Sequence, residues 1–217
     1  ELPGGVTLAS DRGAGASAGA LFYSDAFQTR PLIRIMGPDA TISGLRLQGP
    51  DHKIRHEHHD RAFAMGGPGH DYYYRFPVSE GIRTEFDRLT VANCELSGWS
   101  HSAVYLYRGH QHQVHHCYIH HNQYNGLGYG VCLDIATALI ERNRFNHNRH
   151  DIAGTGRSGS GYEACHNVVL RHDAYSHHFD MHGGSDRKDG SNIASDWLRI
   201  HHNAFHGSGR PIVIRGT

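Results

Sequence analysis

Five segments of this chain share one short pattern: a valine-like residue, three positions later a Cys, Asn or Asp, and two further on an apolar or aromatic residue. They are VANCEL from Val91, VHHCYI from Val114, IERNRF from Ile140, LRHDAY from Leu170 and IHHNAF from Ile200, with starts 23, 26, 30 and 30 residues apart. Self-similarity at a period of roughly 20–50 residues is the mark of stacked coils, each burying its apolar side only against its neighbours. A second alternating run that ends near a glycine follows every segment: SAVYLYRG, YGVCLDIA, RHDIAGTG, HHFDMHGG and RPIVIRGT. Earlier, PLIRIMG (31–37), ATISGLRLQG (40–49) and GIRTEF (81–86) carry the same alternation less regularly. Two strands per coil are expected, with side chains pointing alternately in and out. Helical periodicity is almost absent.

This pattern resembles the right-handed parallel β-helix, the fold of pectate-lyase-like proteins and many other carbohydrate-active chains, over about residues 31–217. The resemblance implies an all-β solenoid forming one domain over 1–217. It reads as a segment of a longer chain, because a stacked structure should have capped ends. Two stretches break the spacing and are expected as excursions: a long one at about 50–80 and a shorter one at 185–195. The first holds His52, His56, His58, His59, His70 and the run Tyr72, Tyr73, Tyr74, whose aromatic faces suit stacking on sugar rings, with a flap that merely covers the edge as the alternative. The column Cys94, Cys117, Asn143, Asp173, Asn203 is expected at the inner corner of successive coils. There Cys94 and Cys117 read as buried thiols, since a disulfide is awkward between in-register neighbours on parallel strands.

Composition narrows the partners. Lys plus Arg and Asp plus Glu both count 21, which argues against a general binder of phosphate backbones and so against nucleic acid. No apolar run approaches a membrane span. The only lysines are Lys53 and Lys188, so nearly all fixed positive charge is guanidinium, which suits forked recognition of carboxylates. The 22 histidines exceed what any single site needs, and most are expected to be structural or solvated. The four cysteines have no metal-binding or redox spacing and decide little about compartment.

The outward face of the second strand gathers the chemistry. With Val104, Leu106, Val131, Leu133, Phe179, Met181, Ile212 and Ile214 inward, the outward set is Tyr105, Tyr107, Cys132, Asp134, His178, Asp180, His182, Val213 and Arg215. In RHDIAGTG, Asp151 is turned outward as well, because a lone buried carboxylate costs several kcal/mol. The expectation is a ladder of Asp134, Asp151 and Asp180 on consecutive coils, flanked by His182 and followed by Arg215. Like charges about 5 Å apart call for a cation. A divalent ion is therefore expected there, Ca²⁺ before Zn²⁺ or Mn²⁺, with a solvated polar face as the alternative.

The last coil, WLRIHHNAFHGSGRPIVIRGT, is similar to a pectate lyase segment in which a His-His-Asn-x-Phe strand precedes Arg-x-Pro-x-x-Arg. That likeness implies Arg210 as the base removing the C5 proton of a uronate and Arg215 as the group binding substrate carboxylate. Here Pro211 stands one residue early, Val213 or Ile214 replaces basic character, and the upstream Trp-Ile-Asp-His signature is missing. His182 and Tyr107 compete for the proton-transfer role, while Tyr105, His178 and Tyr73 are candidate substrate contacts. The first functional reading is a secreted, extracellular lyase cleaving acidic, uronate-containing polysaccharide by β-elimination. The rivals are a metal-dependent glycoside hydrolase or epimerase using Asp and His, and a non-catalytic adhesive or fibre-forming β-helix that self-associates end to end.

Overall fold

The computed structural model describes residues 1–53, 56–67, 73–171, 177–207 and 209–216. These form three parallel sheets of seven strands each, in which every coil contributes one strand to each sheet. One coil runs through Gly109–His115, Tyr118–His120 and Tyr129–Leu133, and the next through Ala136–Glu141, Arg144–Asn146 and His150–Gly154. A coil thus has three strands rather than two. The first two are separated by a single sharp corner, so in the sequence they read as one run.

Stacking begins earlier than residue 31. Thr7–Ala9 pairs with Thr41–Ser43, and Leu21–Tyr23 pairs with Arg46–Gln48. The interior is built of in-register columns. In the third sheet Ile33, Ile82, Val104, Val131, Ile152, Phe179 and Ile212 follow one another. In the second, Leu47, Leu96, Ile119, Phe145, Val169 and Phe205 do the same. Ile212, on the last coil, is left exposed, whereas burying each of the others contributes about 1.5–3 kcal/mol, which makes these columns the main cohesion between coils.

The corner between the first two sheets carries a ladder of side chains that replaces missing backbone partners. Cys94 N–H donates to Cys117 Sγ (3.4 Å), Cys117 N–H to Asn143 Oδ1 (2.9 Å), Asn143 N–H to Asn167 Oδ1 (3.0 Å) and Asn167 N–H to Asn203 Oδ1 (3.0 Å). The rung expected at Asp173 is therefore Asn167, and Asp173 itself lies outside the described residues. The fourth repeat is Ala164 to Val169, with Ala164 pairing Ile140 and Ile200. Alanine in the valine-like position hid it. All four cysteines are free and buried, Cys94 and Cys117 among them.

The residue before each rung, Asn93, His116, Arg142, His166 or His202, has φ between 51° and 56°. His121 and His147 make the same left-handed turn at the following corner (φ 56° and 54°). Histidine and asparagine enter this region more readily than most side chains. Much of the histidine excess is thus corner material, stacked between coils as in His121 on His147 (4.2 Å) and His166 on His202 (5.1 Å).

The long excursion contains a nine-residue helix, His56–Ala64, and its own apolar cluster of Ala62, Tyr73, Val78 and Tyr124. Tyr73 is fully buried, donates its hydroxyl to Asn125 O (2.8 Å) and stacks on Tyr124 at 4.8 Å. It fastens the excursion to the solenoid and presents no face to a sugar, contrary to expectation. His70 and Tyr72 lie outside the described residues. The second excursion opens with a short helix, Gly184–Arg187, against the third sheet.

Candidate active site on the third sheet

Asp180 is the centre of the polar groups on the outer face of the third sheet. Its carboxylate is fully buried and held from four sides. Arg215 grips it as a fork, Nε to Oδ1 and Nη2 to Oδ2, both 3.1 Å. His177 Nε2 lies 3.1 Å from Oδ1, His182 Nε2 3.0 Å from Oδ2, and His150 Nε2 3.8 Å from Oδ2. Burial alone would push this carboxyl up, but the hydrogen bonds from His177, His182 and Arg215 outweigh it and hold it well below the carboxylate range. Strand pairing of His177–His182 with Arg210–Arg215 makes the arrangement, placing His182 opposite Arg215.

His182 joins two carboxylates. Its Nδ1 is 2.5 Å from Asp186 Oδ2, supplied by the short helix of the second excursion, and its Nε2 is 2.6 Å from Arg215 Nη2. Neutral, with the proton on Nδ1, the ring accepts from Arg215 at Nε2. Protonated, it donates from Nε2 to Asp180. One nitrogen with a partner in each state is what a group that gains and loses a proton requires.

The carboxylate ladder is not assembled. Asp151 points into the coil, where Asn148 Nδ2 donates to its Oδ1 (2.8 Å) and His178 Nδ1 lies 2.7 Å from its Oδ2. Both residues are about 1 % exposed, so Asp151 is no surface metal ligand and His178 no substrate contact. The argument for turning Asp151 outward assumed a lone buried carboxylate, and its partners come from elsewhere in the chain. Alternation breaks here, because Asp151 and Ile152 both face inward. Gly130, one coil below Asp151, occupies the same inward place: a Cβ there would meet Asp151 O at 2.6 Å and Phe145 Cε1 at 3.3 Å. Asp134 does face outward, but accepts from Thr155 Oγ1 (2.6 Å) and Arg157 Nη1 (3.0 Å).

A cavity of about 210 Å³ crosses the coils beside Asp180, lined by His101, Tyr105, Tyr129, Thr155, Arg157, His182 and Arg187 among others. Its aromatic wall continues through Tyr107, 5.5 Å from Tyr105, with the Arg83 guanidinium 4.3 Å over the Tyr107 ring. Burial pushes the Tyr105 and Tyr129 phenols up, which keeps them protonated. Burial, helped by Arg30 and Arg83, pushes His101 down to about 3, so that it is a neutral imidazole. Arg210 is exposed at the opposite end of its strand from Arg215, in register with His177.

Among the described residues, two groups of side chains offer converging metal ligands. His150, His177 and Asp180 belong to this site; Glu163, Cys165 and His201 lie on the first sheet. His150, His177, Asp186 and Tyr129 were not anticipated. The first two stand ahead of the alternating stretch, where the break in alternation misdirects a period-two reading. Asp186 is brought in by the excursion.

Three parallel sheets stacked coil on coil, with a polar, aromatic-lined groove on the third, are a β-helix. The chain belongs to the right-handed β-helix family: the model of the right handed beta helix region matches residues 80–216. No curated protein and no solved structure matches it.

Proposed function

We propose that the protein is a polysaccharide-active enzyme that cleaves a uronate-containing chain by β-elimination in the groove of the third sheet. The observation that carries this reading is the contact of His182 with Arg215, Asp180 and Asp186 at the edge of an aromatic-lined cavity. Elimination needs the uronate carboxylate neutralised as charge develops on C5, and guanidinium groups meet that need. Arg157 and Arg187 line the groove, and Arg215 meets its edge through His182.

His182 takes the C5 proton at Nε2, once Arg215 turns from that atom to the substrate carboxylate. The released electron pair forms the C4–C5 double bond, the glycosidic bond at C4 breaks, and a phenol, Tyr105 or Tyr129, protonates the departing oxygen. Arg210 is the weaker candidate for the base, since a solvated guanidinium retains its proton. Hydrolysis would require one carboxyl to act as acid and a second as base or nucleophile. Asp134 and Asp180 are both engaged by guanidinium groups and Asp151 is interior, which favours elimination over hydrolysis. A substrate of polymer size places the reaction outside the cell. Calcium has no role in this reading, because the oxygen ladder that called for it is absent from the groove.

Incubation with polygalacturonate, alginate and glycosaminoglycans tests the proposal. Rising ultraviolet absorbance from unsaturated chain ends, lost in His182→Gln, supports it. New reducing ends without that absorbance make the enzyme a hydrolase, and no change in any polymer overturns the reading.

A further inference from the structure

We propose that His150 Nε2, His177 Nε2 and the Asp180 carboxylate form a binding site for a late first-row divalent metal ion such as Zn²⁺. The three donor atoms lie within 4.8 Å of one another. The His150 and Asp180 side chains are fully buried and that of His177 is 8 % exposed. The imidazole rings of His150 and His177, from adjacent coils, stack at 3.9 Å.

The tautomer of His150 is the telling point. Its Nδ1 lies 2.6 Å from the carbonyl oxygen of His177, an acceptor only, so the proton must be on Nδ1. Nε2 then carries a lone pair. That atom is buried, and among the described residues it has no hydrogen-bond donor. What it faces instead is Asp180 Oδ2 at 3.8 Å, a second acceptor. Two lone pairs turned toward each other in a buried place repel, unless a cation lies between them. Protonating His150 is opposed first by burial and then by Arg149 and His177. A metal ion satisfies both lone pairs without that penalty. The backbone carbonyl that fixes the His150 ring is also the usual outer-shell partner of a metal-bound imidazole.

The distances suit the ion. The carboxylate meets the two rings through different oxygens, His177 Nε2 3.1 Å from Oδ1 and His150 Nε2 3.8 Å from Oδ2, so it holds the ion as a two-oxygen ligand, and with bonds of about 2.1 Å these pairs subtend about 95° and 130°. Two imidazoles and one carboxylate select zinc-like ions over Ca²⁺, which takes oxygen ligands almost alone. The ion takes the place across which His177 Nε2 and Asp180 Oδ1 now face each other at 3.1 Å. The Arg215 fork remains on the carboxylate and offsets part of its charge. This proposal stands apart from the elimination reading, because metal binding is measured with no sugar present.

Chelator-treated full-length chain, dialysed against Zn²⁺ alone and Co²⁺ alone, tests it. One equivalent binds tightly, and additional weak equivalents go to surface histidines. His150→Gln and Asp180→Asn each weaken the tight equivalent by at least about 100-fold, whereas Glu163→Gln in the other cluster leaves it unchanged. Unaltered tight binding in His150→Gln, or no equivalent tighter than the surface ones, overturns the proposal. Should circular dichroism find either variant unfolded, the Co²⁺ spectrum of the unaltered chain decides. An intense visible band of a four- or five-coordinate ion supports the site, and only the pale spectrum of octahedral cobalt refutes it.

Discussion

Asp151 and His178 stand 27 positions apart in the chain and meet inside the solenoid through a 2.7 Å hydrogen bond that joins two successive coils. A charged or strongly polar pair in that place is stabilising only while it is complete. Asp151→Ala leaves a buried imidazole without its carboxylate and is expected to lose about 3–5 kcal/mol, with Asp151→Asn losing less. Urea unfolding followed by circular dichroism measures both, and an alanine variant as stable as the parent would show that the pair holds nothing together.

The corner ladder makes a second expectation. Asn143 accepts from Cys117 N–H and donates from Nδ2 to Val114 O (2.8 Å) and Asn167 Oδ1 (3.1 Å). Asn143→Ala orphans a backbone donor and a backbone acceptor, each worth about 1–3 kcal/mol when buried and unpaired. Thermal melts should place this variant well below Arg144→Ala, an exposed change one residue away that belongs near zero.

Stability should fall as pH drops through the histidine range. Burial lowers the folded-state affinity of His101, His112 and His150 for protons below that of the unfolded chain. Below about pH 6.5 the unfolded state therefore binds more protons, and stability falls with pH by roughly 1 kcal/mol per pH unit for each such imidazole. Asp180, held low in the fold, adds a further loss once the pH passes below its unfolded value near about 4. Denaturation midpoints that stay level from neutrality to pH 5 would contradict the burial of these rings.

For the elimination chemistry, His182→Gln should reduce turnover by about 10²–10⁴-fold, the usual contribution of a general base. Arg215→Lys keeps charge but loses the fork on Asp180, so a rise in KM together with a fall in kcat is expected. Asp186→Asn removes the anion at Nδ1 of His182 and should lower kcat, since the ring that has taken up a proton loses its partner. Initial rates on the active polymer across pH separate the three.

The thiols give a fifth check. Cys94, Cys117, Cys132 and Cys165 are all buried and unbonded, so a thiol reagent should find four groups in denaturant and react slowly in the native state.

The stacking of coils was legible because Val91, Val114 and Ile140 repeat at an almost even interval and their partners at the corner are small polar residues. The inward column through Val104, Val131 and Phe179 followed from simple alternation. Two features defeated the reading. At Ala164 a small residue in an otherwise valine-like column shifted the fourth coil, and with it the rung at Asn167. At Asp151 and His178 the chain places two successive side chains inside, and polar groups 27 positions apart satisfy each other, which no local pattern announces. Asp180, His182 and Arg215 were brought together as the alternation implied, while Asp186 arrived from an excursion whose path has no periodicity.

The cross-coil pairing sets Asp180 against Val213 and His182 against Arg215, so the fork on Asp180 is made diagonally, from two residues further along the strand. A slide of this strand by two residues in the direction that takes Arg215 further from Asp180 would leave the pairing pattern intact and bring the same kinds of side chain inward, yet shift the guanidinium by about 7 Å. A chain misthreaded in that way would look folded to spectroscopy and be inert in the flask. The groups proposed for chemistry are therefore also a vernier, reporting whether the strands were laid down in the right alignment.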